Sequence, residues 1–267
     1  MKSFGLCAVA LFSALTFGGA LAQDATVRKD LAPSGRLRAA INFGNAVLAQ
    51  KDAATGQAKG ISVDLANELG RRLGVPVDLV TFEAAGKAFE AAKDGKIDIM
   101  FIAIEPVRAA EVDFTAPYVI IEGTYMVPKD SPLKQIGDVD KPGVRIAVGL
   151  NSAYDLYLTR TIKNATIMRA PVGGGQAMVE MFLRDKLEVA AGVRQQLEAF
   201  AKTNPNLRIM EGRFQEIQQA MGTPKGRPAG AQYLRAYVES VKASGFVADA
   251  LKRSNQTAQV APPAGKP

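Results

Sequence analysis

Residues 60–80 read GISVDLANELGRRLGVPVDLV, and the architecture is decided there. Leu65, Ala66, Leu69 and Leu73 recur at helical spacing behind Ser62, a capping residue type, and Gly74 supplies the stop. The spacing therefore predicts a helix from Ser62 to Leu73, followed by a strand over Val75–Val80. The same alternation extends outward from this stretch. Leu37–Ile41 reads as a strand, Ala84–Lys93 as a helix and Ile97–Ile102 as another strand. Short apolar runs alternating with amphipathic stretches indicate an α/β architecture with largely parallel sheets.

A second α/β block follows. Val144–Val148, Ala165–Met168 and Leu187–Ala191 read as strands; Ala153–Ile162, Gly175–Arg184 and Val193–Lys202 read as helices. Two long, poorly periodic extended segments flank the block, Tyr118–Val127 and Phe214–Met221. Both lead into turn chemistry, Pro128-Lys129-Asp130-Ser131-Pro132 and Gly222-Thr223-Pro224-Lys225-Gly226. They read as two crossings between lobes. Tyr233–Val241 and Phe246–Leu251 then return as helices to the first lobe, with Leu234, Tyr237, Val238 and Val241 as the buried stripe. Residues 23–36 are a polar lead-in, and 254–267, polar and rich in Pro and Gly, are expected to be disordered.

Composition narrows the chemistry. The 267 residues include no His and one Cys. Ser-His-Asp and Cys-His triads, HExxH sites and Cys/His zinc sites are thereby excluded, as is an intrachain disulfide. Carboxylates, hydroxyls, amides and Arg/Lys remain, and no metal or cofactor is expected. The chain opens with Lys2, an apolar run from Leu6 to Leu15 broken only by Ser13, and an Ala20-Leu21-Ala22 ending. That three-part pattern reads as a cleaved secretory signal over residues 1–22. The run is shorter than the ~20 apolar residues that span a bilayer. Cleavage removes Cys7, leaving a thiol-free chain suited to an oxidising compartment. The formal charge of +7 comes from Lys and Arg scattered along the sequence. With export, this reads as a solvated basic surface and not as a nucleic-acid interface.

Four stretches, in order, resemble the family 3 periplasmic solute-binding proteins, the receptors of polar amino acid ABC importers. They are Gly60-Ile61-Ser62-Val63-Asp64-Leu65-Ala66, Gly95-Lys96-Ile97-Asp98, Arg108-Ala109-Ala110-Glu111-Val112-Asp113-Phe114-Thr115-Ala116-Pro117-Tyr118, and Ala243-Ser244-Gly245-Phe246. The resemblance covers roughly Leu37 to Leu251. It implies the type II periplasmic binding protein fold: two lobes, each a mainly parallel sheet flanked by helices, joined by two hinge strands. Lobe 1 would take residues 37–121 and 219–253, and lobe 2 residues 122–218. It also implies a monomer in the periplasm that delivers a small-molecule ligand to an inner-membrane ABC permease.

The resemblance points first to Arg108 as the group that holds a ligand carboxylate. A guanidinium offers a planar donor fork matched to that anion; the alternative is a surface Arg paired with Glu111 or Asp113. Glu105 either accepts from a cationic ligand or neutralises Arg108. Asn42 and Asn45 stand where the family often has an acid and an aromatic, and would exchange neutral hydrogen bonds with the ligand. Phe43 either stacks on the ligand or packs in the core. Asn151-Ser152-Ala153-Tyr154-Asp155 replaces a Gly-Thr-Thr turn opening a helix. Ser152 is there a helix cap and an anion contact at once, with Tyr154 and Asp155 as further candidates. At Gly192-Val193-Arg194 the family usually has an Asp for the ligand ammonium, and here no acid stands at Val193 or Arg194. The expected ligand is a small carboxylate, an amino acid or amino-acid-like, with Arg194 as a second positive contact. The competing reading is an exported dehydratase of the cyclohexadienyl type acting on a prephenate-like acid, with Glu105 or Glu188 as the general acid.

Overall fold

The structure, a computed structural model, describes residues 24–171 and 174–265. The expected signal segment, residues 1–22, lies outside the described residues. Residues 24–31 form α1. Then follow β1 (Leu37–Asn42), β2 (Gln50–Lys51), β3 (Ala58–Lys59), α2 (Ile61–Leu73), β4 (Val77–Phe82), α3 (Ala85–Lys93), β5 (Ile99–Ala103), α4 (Pro106–Ala109) and β6 (Val112–Pro128). The second block holds β7 (Arg145–Gly149), α5 (Ala153–Thr161), β8 (Thr166–Ala170), α6 (Gly174–Arg184), β9 (Val189–Val193), α7 (Arg194–Thr203) and β10 (Leu207–Ile209). Last come β11 (Gln215–Pro224), α8 (Pro228–Ala243), α9 (Phe246–Arg253) and β12 (Gln259–Val260). No helix among the described residues is long and apolar enough to cross a membrane.

Among the described residues ten strands form one sheet, in the order β4-β1-β5-β11-β6-β9-β7-β8, with β10 and β12 also on β6. At one end β1 runs parallel to β4 and β5; at the other β7 runs parallel to β8 and β9. The two extended crossings, β6 and β11, lie antiparallel side by side in the middle and join these parallel blocks. Helical crossovers between parallel strands give the α/β layering that the alternating sequence implied.

Local chemistry explains the element ends. Leu65, Ala66, Leu69 and Leu73 are all buried on α2, and Gly74 closes it in the left-handed region at φ 64°. Ser62 does not cap this helix. The chain turns in at Gly60, whose φ of 119° suits glycine and where a Cβ would sit 2.7 Å from the Leu48 carbonyl oxygen. Ser62 is thereby carried into the first turn, 1% exposed. The Asp98 of the Gly95-Lys96-Ile97-Asp98 stretch is a fastener within this block. Fully buried, it accepts from Arg38 N, Nε and Nη2 and from Arg227 Nη1, at 2.8–3.0 Å. It thus ties β1 to the approach of α8.

The polar lead-in holds a helix, and the tail departs from the disorder expected of it. The lead-in contains α1, whose Val27 and Leu31 are buried, while Asp30 accepts from Gly230 N and Arg227 Nη1. The tail is likewise structured. Gln259 and Val260 pair with Ile120 and Val119 of β6, Ala261 is buried, and Lys242 Nζ donates to the Pro262 carbonyl at 2.8 Å. In both segments a few apolar residues spaced among polar ones suffice, because a helix or an open strand edge receives them.

Candidate functional site

The end of β1, the β5–α4 turn and the start of α3 come from one side of the sheet's middle. The start of α5, the start of α6 and the end of β9 come from the other. Between them lies a cavity of about 40 Å³. Its lining includes Asn42, Asn45, Ala103, Arg108, Ser152, Tyr154, Val193 and Gln219. Five sequence candidates, Asn42, Asn45, Arg108, Ser152 and Tyr154, thus meet at one place from distant parts of the chain.

Arg108 is the centre of this arrangement. Pro106 opens the single turn of α4 with a φ already fixed for a helix, and Arg108 is the buried residue of that turn. The guanidinium is 1% exposed. Nη1 donates to the Ala103 carbonyl at 3.0 Å, and Nη2 crosses the cleft to the Asn151 carbonyl at 2.8 Å. Among the described residues no carboxylate forms an ion pair with it. Burial pulls its pKa down to about 10, opposed by the negative charge of Glu105. A buried cation held only by neutral carbonyls is a group prepared for an anion.

The partners around it are neutral. Asn42 Oδ1 accepts from Gly44 N at 2.9 Å and Asn45 Oδ1 from Val47 N at 3.2 Å, so both carboxamides first shape their own turns. Phe43 is half-buried and packs against the main core, with Lys51 Nζ 6.0 Å from its ring centre. Ser152 caps α5, accepting from Asp155 N at 3.0 Å. Burial pushes the Tyr154 phenol up to about 12, so at neutral pH it is a hydroxyl.

Three candidates are turned elsewhere. Asp155 is buried, but Oδ2 accepts from Asn151 N at 2.8 Å and Oδ1 from Arg169 Nε at 2.9 Å. It pins Asn151 in the left-handed region at φ 58°, which sets the carbonyl that Arg108 reaches; Asp155 thus acts through the backbone and does not line the cavity. Glu105, 1% exposed, takes Arg160 Nη1 at 2.6 Å and Gln215 Nε2 at 2.9 Å. It lines a separate surface groove with Tyr157 and Phe214, because α5 presents a cation to it from the opposite block. Arg194 binds Glu122 Oε2 at 2.6 Å and the Gly212 carbonyl, on the far side of β9 from Val193. Val193 itself faces the cavity. Period-two alternation at the strand end sends adjacent residues to opposite faces. Glu188, the other acid considered, is held by Arg145 at 2.8 Å. Neither Glu105 nor Glu188 lines the cavity.

One lining residue escaped the sequence reading. Gln219 on β11 is 4% exposed, and its Oε1 has no hydrogen-bond partner among the described residues. The alternation Ile217, Gln219, Met221, all buried, places a carboxamide on an apolar strand face, and that was the available signal. Among the described residues no cluster of three or more Cys, Asp or Glu could hold a metal ion.

Comparison with known proteins bears on the fold and the family. The fold matches ArgBP from T. maritima, in a mutant form, with a TM-score of 0.74 at 21% identity, covering 86% of this chain and 99% of that one. It matches the solute receptor for L-cysteine of Neisseria gonorrhoeae with a TM-score of 0.73 at 22% identity, covering 86% and 92%. The ancestral amino acid-binding protein AncCDT-1, a precursor of cyclohexadienyl dehydratase, superposes with a TM-score of 0.71 at 22% identity, covering 85% and 98%. These likenesses establish the two-lobed periplasmic binding protein fold. No curated protein sequence matches at a significant level. Residues 45–256 match a sequence family across most of the chain: the protein belongs to the bacterial extracellular solute-binding proteins, family 3.

Proposed function

We propose that the protein is the periplasmic substrate-binding subunit of an ABC uptake transporter. It captures a small carboxylate-bearing solute, an amino acid or an amino-acid-like acid, between its lobes. The observation that carries this reading is Arg108: a buried guanidinium in a cavity between the lobes, bonded among the described residues only to backbone carbonyls. The first lobe comprises residues 37–121 and 219–253, the second 122–218, and β6 and β11 are the hinge strands. Solved structures of the same fold include an amino acid ABC transporter substrate-binding protein bound to L-arginine, a putative ABC transporter binding component complexed with lysine, and the solute receptors for L-cysteine, which supports the solute class.

Capture proceeds by closure. The carboxylate docks on the Arg108 fork from the first lobe, with Asn42 and Asn45 beside it. The second lobe then brings the α5 start, with Ser152 and the backbone N–H groups behind it, onto the ligand. Contacts formed only when both lobes touch the ligand drive the population toward the closed state. A shift from mostly open to mostly closed needs a differential of about 5 kcal/mol. Expelled water lowers the local dielectric and strengthens the charge pair. The closed shape then docks on the permease, and the protein acts as a monomer.

The test is a thermal-shift panel of small carboxylic acids, each beside its methyl ester. Acids raise the melting temperature through mass action and their esters do not. A panel in which esters stabilise as well as acids removes the reading.

A further inference from the structure

Gln219 brings a further polar group to the same cavity. In the sheet it stands opposite Ala103 on β5, the residue whose carbonyl receives Arg108 Nη1. Its carboxamide is more than nine-tenths buried, and its Oε1 meets no donor among the described residues. Buried amide oxygens in native proteins are almost always satisfied, so a partner from the ligand is the natural complement. The other carboxamides of the cavity are already engaged by the N–H groups of Gly44 and Val47.

Charge then selects the partner. Arg108 is the one formally charged side chain of the lining among the described residues. The two nearest buried acids are committed, Glu105 to Arg160 and Asp155 to Arg169. Val193, an apolar side chain, occupies the strand end where the family resemblance calls for an acid. A ligand ammonium here would lie desolvated near a guanidinium, with a neutral amide in place of a carboxylate. A hydroxyl carries no charge and can both donate and accept, so it satisfies either orientation of the Gln219 amide.

We infer that Gln219 is the second anchor of the cleft and that it selects short 2-hydroxy carboxylic acids over their 2-amino counterparts. The carboxylate sits on Arg108 and the 2-hydroxyl bonds the Gln219 carboxamide. This rests on the carboxylate reading above and narrows it. The small cavity confines the skeleton to a few carbons.

Isothermal titration calorimetry on the full chain, with L-lactate, L-alanine and propionate as probes, tests it. Lactate is expected to bind at least tenfold more tightly than alanine and more tightly than propionate. Gln219→Leu should erase the advantage of lactate over propionate while keeping propionate binding. Gln219→Glu should reverse the order of lactate and alanine by installing the missing negative charge. Alanine binding as tightly as lactate in the unmodified protein overturns the inference. So does a lactate-over-propionate preference that survives Gln219→Leu. If all three acids bind equally tightly and Arg108→Met abolishes their binding, such a result removes the role of Gln219 alone. If none binds, or if Arg108→Met leaves binding intact, the carboxylate reading falls and this inference with it.

Discussion

Replacing Arg108 by Met separates what the guanidinium does for binding from what it does for folding. Met keeps the unbranched stem in its buried slot and removes the charge and its donors. Burial that holds the group at about 10 instead of 12.5 disfavours the charged form by about 3 kcal/mol. Against this stand two hydrogen bonds from a cation to the Ala103 and Asn151 carbonyls, each worth about 1.5–3 kcal/mol. The opposing effects nearly balance, so the melting temperature without ligand should move by only a few degrees. Binding should respond quite differently. Losing one member of a desolvated charge pair costs about 2–5 kcal/mol, or roughly 30- to 5,000-fold in Kd. Calorimetric titration with a carboxylate that binds the unmodified protein, beside a thermal melt of each variant, reads both quantities. A variant that binds within threefold of the unmodified protein, or one that melts more than about 15 °C lower, refutes the reasoning.

Three further outcomes follow from the geometry. Arg108 is a base whose folded pKa is lowered to about 10. Carboxylate affinity should therefore hold level between about pH 7 and pH 9, because even a guanidinium lowered this far keeps its proton there; a tenfold fall within that window contradicts this. A Cβ at Gly86 would sit 2.7 Å from the Asn151 Cβ across the cleft. Gly86→Ala should favour the helix locally yet weaken ligand binding by about 1–3 kcal/mol through overpacking, with a larger radius in small-angle scattering at saturating ligand; unchanged closure removes the clash. Asp98→Asn deprives Arg38 and Arg227 of their shared carboxylate and should cost about 3 kcal/mol, roughly 6–12 °C in melting temperature; a differential scanning calorimetry shift under 2 °C would show the network to be dispensable.

The legible part of the molecule was that governed by periodicity. The apolar stripes of α2 and α8 fall where spacing puts them and the strands of the two parallel blocks lie within about two residues of it, because burial of one face sets both. By contrast, α8 starts five residues earlier, at Pro228, and the crossing strand β6 six residues earlier, at Val112. Arg108 was legible because an ordered sequence pattern surrounds it. Side-chain commitments were not. Asp155 is adjacent to the cleft in sequence, yet the cation it meets, Arg169, comes from β8, and nothing local announces that choice. Glu105 and Arg194 were drawn away in the same manner by Arg160 and Glu122, each from an element distant in the chain. Gln219 sat in a segment read only as extended. Its place in the cavity depends on the register of β11 against β5, a nonlocal pairing that no single-segment pattern encodes. The tail misled for a related reason: its polar, Pro- and Gly-rich composition argued against structure, whereas pairing with β6 and the burial of Ala261 were enough to fasten it.

The attachment of β12 to Val119 and Ile120 has a practical consequence. Those residues lie midway along the strand that carries the chain from one half of the molecule to the other. A fluorescent reporter fused after residue 265 would therefore be moored at the pivot and not at either jaw. It would register bending of the pivot directly, and its bulk would load the joint on which the proposed closure depends.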